Sequence, residues 1–284
     1  MKLIYLSNAI IPSRSANSVH VMKMCSAFSK LIKVTLFAIQ GKGGGDPFKY
    51  YDVQNRFELI RVYKVKKYIS SFKYLITPFL SIKKNKDLCV YGRHTLALFF
   101  LSLKGGVAVA YESHAIPGNI IKRGVEGVMF KRNSFKKLIV ISNALKEDYL
   151  KLYPGVLDKR IMVAHDGADL PRSSVVRSKR VRLKVGYVGH LYQGRGVEII
   201  IQLAGIFPEI DFDIVGGTEN DIDFWSKKIT GIDNIKFYGY VSHGLLSEYY
   251  STFDVLIAPY QVGVNQSDGK SDTTRWMSPM KVFE

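Results

Sequence analysis

The chain has 284 residues, 47% of them hydrophobic and 23% charged, with two cysteines and a formal net charge of +17. This composition excludes a disordered chain, and Cys25 and Cys89, far apart and with no Cys/His cluster near either, exclude a disulfide framework or a zinc site. The length suits two domains, and the charge favours anionic partners, with nucleic acid, lipid headgroups and acidic saccharides all open on charge alone.

The positive excess is uneven: residues 1–172 hold 29 Lys and Arg against 11 Asp and Glu, whereas residues 173–284 hold 12 against 13. After Met1-Lys2 the chain turns apolar, but Ser7, Asn8 and Pro12 interrupt it before a signal-peptide core forms, and no apolar run reaches the length of a membrane span. The expectation is a cytoplasmic chain.

Lys2–Leu6 reads as a buried strand, followed by a polar loop to Ser18 and a helix through about Lys30. Val19, Met22, Ala27 and Phe28 are its expected core residues, and Ser15, Asn17 or Ser18 its cap. Ser13, Arg14, Ser15, Asn17 and Ser18 then fall at the C-terminal edge of the first strand, where open α/β sheets bind ligands; an ordinary surface loop is the other reading. Further strands are expected at Lys33–Ile39, Phe57–Tyr63, Asp87–Tyr91, Val107–Tyr111, Lys137–Ile141 and Arg160–Ala164. Alternating with helical segments, they indicate a mainly parallel sheet. Gly41–Pro47 lacks the residue order of a P-loop and reads as a connection.

From Lys64 to Lys86, seven lysines interleave with Tyr68, Phe72, Tyr74, Phe79 and aliphatic residues. That mixture suits an anionic bilayer surface, and equally a core helix with a solvated lysine face. Leu96–Leu103 is too short to span a membrane and reads as a buried helix. The strand at Val107–Tyr111 runs into Glu112-Ser113-His114, where His114 can meet a phosphate or a sugar hydroxyl, or act as an acid or base; a structural histidine is the alternative. Ser142 is placed to cap a helix carrying Leu145, Tyr149 and Leu150. Residues 172–182 lack apolar periodicity and read as a linker between a first domain at 1–171 and a second at 183–284.

The second domain opens with a strand at Lys184–Val188, a glycine-rich turn through Gly189, Gly194 and Gly196, and a helix with Val197, Ile200, Ile201 and Ala204 on one face. Such a turn lets backbone approach an anion, the helix start offers unpaired N–H groups, and Arg195 adds a forked cation for phosphate. A plain connection with a solvated Arg is the other reading. Strands at Ile210–Val215, Ile235–Tyr238 and Asp254–Ala258, each ending at a polar or glycine turn, and a helix around Leu245–Tyr250 complete a nucleotide-binding pattern. Asp211 and Asp213 have Asp-x-Asp spacing but lie within a strand, so no metal is expected from them.

Taken in order, Ile141-Ser142-Asn143-Ala144-Leu145, Asp166-Gly167-Ala168-Asp169, Val188-Gly189-His190-Leu191-Tyr192 with Arg195-Gly196, and Ser278-Pro279-Met280-Lys281-Val282-Phe283-Glu284 resemble the family-four retaining glycosyltransferases. The resemblance implies an α/β GT-B fold, two Rossmann-like domains facing across a cleft. It also implies transfer of a sugar from a nucleotide diphosphate sugar to a hydroxyl acceptor, with no metal and no further cofactor. On the matching positions, Gly189, His190, Arg195 and Lys281 would hold the donor diphosphate. Gly239, Tyr240, Val241 and Glu284 would hold the nucleoside, His114 would face the donor sugar, and the Ser13–Ser18 loop would face the acceptor.

There are departures. His190 stands where Arg is common, Arg195 where Lys is commoner, and Trp276 where the first Glu of the family's Glu-x7-Glu signature is expected. Relatives also continue beyond the position of Glu284, which implies an incomplete second domain. The basic first domain points to a lipid-linked or anionic saccharide acceptor, handled at the cytosolic face of a membrane. Rival readings are a GT-B sugar-nucleotide epimerase, for which no paired carboxylates are visible, and a non-catalytic nucleotide-sugar or membrane-binding protein. Nucleic acid is not an expected partner, because no recognition helix or RNA-binding module accompanies the charge.

Overall fold

The computed structural model describes every residue except 43–44, 55, 64–76, 84, 86, 170–180, 193, 262–273, 277 and 279–284. The chain forms two compact units, Met1–His165 and Asp166–Glu284. Most of the lysine-rich stretch at 64–86, residues 172–180 of the expected linker, and both Lys281 and Glu284 lie outside the described residues.

The first unit runs β1 (Lys2–Ile11), α1 (Ala16–Ser29), β2 (Lys33–Gln40), α2 (Pro47–Tyr50), β3 (Glu58–Val62), β4 (Leu88–Gly92) and α3 (Thr95–Lys104), then β5 (Ala108–Ser113), α4 (Ile120–Phe130), β6 (Phe135–Val140), α5 (Asn143–Leu152) and β7 (Ile161–Val163). Among the described residues its seven strands are all parallel, in the order β3-β2-β1-β4-β5-β6-β7. The order reverses between β1 and β4, and open α/β sheets bind ligands at the carboxyl ends of strands at such a reversal.

Strand β1 is longer than the apolar run at Lys2–Leu6 because the pairing resumes beyond a bulge, with Ile10 opposite Ile39 and Ile11 opposite Gln40. Helix α1 buries Val21, Met22 and Cys25 against this sheet, with Val19 and Phe28 packed at the edge of the core. Ala27, expected in the core, is exposed; burial of Ser18 and Ser26 turns the inner face away from it. A larger correction concerns α3. Its apolar run reads as a buried helix, yet Leu96, Phe100 and Leu103 are exposed while Ala97, Leu98 and Leu101 are buried. The sheet covers one face of the helix, and the spacing 96, 100, 103 places the exposed three on the opposite face.

The second unit runs β8 (Lys184–Val188), α6 (Val197–Ile206), β9 (Asp211–Val215), α7 (Glu219–Ser226), β10 (Ile235–Gly239), α8 (Leu246–Tyr250) and β11 (Val255–Leu256). Among the described residues its four strands are parallel in the order β10-β9-β8-β11, with the reversal between β8 and β11. Val185, Tyr187, Val197, Ile200, Ala204, Phe212, Ile214 and Trp225 form its core. Burying each large apolar side chain contributes about 1.5–3 kcal/mol. Asp213 is buried and bonded to Lys184 Nζ at 2.9 Å and to the Tyr238 hydroxyl at 3.0 Å. It is a structural carboxylate inside the sheet, as its place in the strand implies.

Candidate functional site

In the first unit the chemistry gathers at the carboxyl ends of β1, β4 and β5. Glu112, near the end of β5 and almost wholly buried, is the hub. Its Oε2 accepts from the Tyr5 hydroxyl at 2.9 Å and the Tyr91 hydroxyl at 2.6 Å. Its Oε1 accepts from His20 Nε2 at 3.0 Å and His114 Nε2 at 2.5 Å. Arg93 Nε stands 3.9 Å from Oε1 and its Nη1 donates to Asn17 Oδ1 at 2.6 Å.

Burial works hardest against a charge on Glu112, but the hydrogen bonds from His114 and His20 outweigh it and hold the carboxyl well below the usual range. For His114, burial pushes the imidazole pKa down and the Glu112 bond only partly offsets it. His114 is therefore neutral near pH 7 with its proton on Nε2, and its Nδ1 is an acceptor. The two imidazoles meet edge to face, with ring centroids 5.4 Å apart.

The loop after β1 is clamped. The Tyr51 hydroxyl, brought in by the turn of α2, accepts from Ser13 N at 2.6 Å and donates to Ser13 O at 2.9 Å. Ser13 Oγ and Ser18 Oγ are 2.8 Å apart, and Ser18 Oγ donates to Ile10 O. Ser15 occupies the N-cap position of α1 without a side-chain cap bond, and Arg14 is exposed. Of the five expected acceptor residues, Asn17 therefore joins the Glu112 cluster through Arg93, and Ser13 and Ser18 spend their hydroxyls holding the loop.

Tyr5, His20, Tyr91, Arg93 and Glu112 are members that sequence reasoning missed. Glu112 was visible as the residue two before His114, and Asn17 and His20 as an i, i+3 pair on one helix face.

In the second unit the turn from β8 to α6 is held by its carbonyls. The Tyr187 hydroxyl donates to His190 O at 2.7 Å, Trp225 Nε1 to Leu191 O at 3.0 Å, and Gln261 N to Gly194 O at 3.0 Å. Gly196 caps α6 at φ 87°, and a Cβ there would stand 2.0 Å from Pro259 O on the segment after β11. This position admits only glycine, so the start of α6 reaches the reversal point of the sheet. Arg195 lies beside it with its guanidinium 5.3 Å from the centre of the Tyr260 ring. Arg195 Nε and Glu198 Oε2 are buried without a hydrogen-bond partner among the described residues. The His190 and Tyr192 rings stack with centroids 4.9 Å apart. Gly239 ends β10 at φ 70°, Tyr240 is exposed, and Val241 packs with Val188, Val215 and Phe253.

No family model and no curated protein matches the chain. Among solved structures it is similar to HepE of Anabaena in complex with UDP and glucose, at 13% identity and a TM-score of 0.65, over 90% of this chain and 73% of that one. Sucrose-phosphate synthase of Thermosynechococcus elongatus aligns at 15% identity and a TM-score of 0.65, over 91% of this chain and 75% of that one. WaaG, a glycosyltransferase involved in lipopolysaccharide biosynthesis, aligns at 13% identity and a TM-score of 0.60, over 92% and 75%. With two all-parallel α/β units of Rossmann-like strand order, the chain shares the GT-B fold of these structures.

Proposed function

We propose that the chain transfers a sugar from a nucleoside diphosphate sugar to a saccharide hydroxyl with retention at the anomeric carbon. The observation that carries this reading is Arg195. A forked cation whose buried Nε has no hydrogen-bond partner among the described residues stands on a glycine turn, at the start of a helix, where the sheet order reverses. Its fold-level neighbour HepE is described in complex with UDP.

In the reaction the bond from the sugar carbon to the diphosphate oxygen breaks as the acceptor oxygen bonds to that carbon. The acceptor proton leaves with the diphosphate or to solvent. Negative charge grows on the leaving group, and Arg195 with the N–H groups opening α6 stabilises it. Gly189 and His190 complete this corner, and Gly239, Tyr240 and Val241 meet the nucleoside. In the first unit His114 contacts the donor sugar. A neutral imidazole with an accepting Nδ1 suits a sugar hydroxyl, and Glu112 fixes its tautomer. The acceptor, lipid-linked or anionic, approaches the loop at Ser13–Ser18. No residue is assigned as a catalytic base, and no metal is required.

The test is thermal unfolding with a panel of nucleoside diphosphates. A ligand present at a hundred times its dissociation constant stabilises the folded chain by about 2.7 kcal/mol, a rise of a few degrees. We expect such a rise with one nucleoside diphosphate and its loss in Arg195→Ala. A rise of equal size in the variant overturns the role of Arg195.

A further inference from the structure

We propose that Glu126 is a positioning residue that acts on His114 through Tyr149 and Ser113, so that uptake of one proton from solvent at Glu126 resets the loop after β5. Side chains alternate along a strand, and the end of β5 divides between two clusters. Glu112 faces the histidines, whereas Tyr111 and Ser113 face Glu126 and Tyr149. The Tyr111 hydroxyl donates to Glu126 Oε1 at 3.1 Å and accepts from Thr95 Oγ1 at 3.2 Å. Tyr153 and Tyr149 each have one phenolic proton and more than one acceptor in reach. The Tyr153 hydroxyl is 3.1 Å from Glu126 Oε2 and 3.0 Å from Arg123 O. The Tyr149 hydroxyl is 2.8 Å from Ser113 Oγ, 3.4 Å from Ala115 O and 3.5 Å from Glu126 Oε1. Ser113 and Ala115 flank His114, and Ser113 Oγ donates to Ala115 O at 2.9 Å. Arg123 Nε holds the far end of the loop, donating to Pro117 O at 3.1 Å.

The charge on Glu126 decides how those protons are shared. Bonds to an ionised carboxylate are roughly twice as strong as bonds to a neutral acceptor, so a charged Glu126 draws both phenols and pulls Tyr149 off Ser113. A protonated Glu126 donates its own hydrogen to the Tyr153 oxygen, Tyr153 donates to Arg123 O, and Tyr149 is released to Ser113 Oγ. The Tyr149 spacing, 2.8 Å to Ser113 against 3.5 Å to Glu126, is the arrangement of the protonated form. The groups that face Glu126 are Tyr111 from β5, Tyr149 from α5, Tyr153 just after α5, and Lys122 on its own helix; α3 contributes Thr95 through Tyr111, and the Arg123 guanidinium is turned to Pro117. Burial raises the pKa of Glu126 to about 7, with the phenols and Lys122 only partly opposing it, so the two arrangements exchange near neutrality. The consequence for sugar transfer rests on the donor-sugar contact proposed for His114, but the coupling itself does not.

The experiment follows the ring nitrogens of isotope-labelled histidine by NMR through a pH titration of the full chain without ligand, the His114 signals being assigned by their loss in His114→Gln. We expect them to shift in a step centred at about pH 7 while keeping the pattern of a neutral ring. Glu126→Gln should abolish the step. Ser113→Ala should abolish it too, while stability still falls across the same interval, which reports Glu126 itself. The proposal is overturned if the wild type shows no step, if the step survives in Glu126→Gln, or if it survives in Ser113→Ala with Glu126 still titrating. The readout needs no nucleotide sugar, so a chain that binds none counts against the function proposed above and not against the coupling.

Discussion

Glu112 and Glu126 are buried carboxylates with opposite titration behaviour, and the difference lies in who donates to them. Glu112 is buried, but hydrogen bonds from two imidazoles, His114 and His20, hold it ionised. Glu126, on α4, accepts from phenols: the Tyr111 hydroxyl at 3.1 Å, the Tyr153 hydroxyl at 3.1 Å and the Tyr149 hydroxyl at 3.5 Å. Burial raises its pKa to about 7, the phenol bonds working against burial without cancelling it.

The consequences for stability have opposite signs. Glu112 binds its proton less readily in the folded state, so its contribution is present above the unfolded value near 4.5 and is lost as pH falls below it. Glu126 binds its proton more readily when folded, so stability falls as pH rises from about 4.5 to about 7 and stays lower above that. We expect Glu126→Gln to flatten that interval in denaturant unfolding and to stabilise the chain at pH 8 by up to about 3 kcal/mol. An unchanged slope in the variant would remove Glu126 as its source. Neither carboxylate's state was legible from the chain alone: Tyr153 is 27 residues from Glu126, and His20 is 92 from Glu112.

At the scale of elements, strands were the most legible feature. Apolar runs near five residues with polar ends mark β2, β3, β4, β9 and β10 to within a residue or two, because a strand covered on both sides has few other compositions open to it. Helix faces were harder to read. In α3 nearly every residue is apolar, so periodicity carries no information about which side meets the sheet, and only the fold reveals the exposed stripe. The start of α3 is clearer: His94 Nδ1 accepts from Ala97 N at 3.1 Å, and burial pushes that imidazole down, keeping the nitrogen free of a proton.

The glycine turn before α6 was legible because its glycines and Arg195 are neighbours in sequence. Its dependence on Pro259 was not, since that segment comes 63 positions after Gly196 (259 − 196). Gly196→Ala should therefore do more than strain one left-handed residue, which costs roughly 1–2 kcal/mol. The methyl group would also drive the turn off the Pro259 carbonyl. We expect a lower melting midpoint together with loss of the nucleoside diphosphate response; a variant that melts lower but responds normally would separate the turn from the ligand.

At the scale of the molecule, charge and architecture divide the chain in the same way. The first unit carries the basic excess and the Glu112 cluster, and the second is nearly neutral and carries the Arg195 turn. Each has its own core. The division into two α/β units was legible from the recurrence of strand and helix patterns. The assembly of the Glu112 cluster from β1, α1, β4 and β5 was not, because parallel neighbours in a doubly wound sheet are not neighbours in sequence. Hydrogen exchange can examine the units one at a time. With a bound nucleoside diphosphate we expect amides of the β8–α6 turn and of the segment after β11 to slow, and core amides of β1 and β4 to keep their rates. Slowing confined to β1 and β4 would assign the ligand to the first unit instead.

The Glu112 hub also bears on how the protein comes to be folded. Tyr5 and His20 precede their carboxylate by 107 and 92 residues. During synthesis, at about 5–20 residues per second, they leave the ribosome several seconds before Glu112 exists. For that time β1 and α1 have a phenol and an imidazole whose eventual acceptor has not been made. The long loop closures this implies are entropically costly, and we expect the cluster to form late in folding. An intact pair of histidines on one carboxylate thus marks a chain whose first, fourth and fifth strands have already found their register.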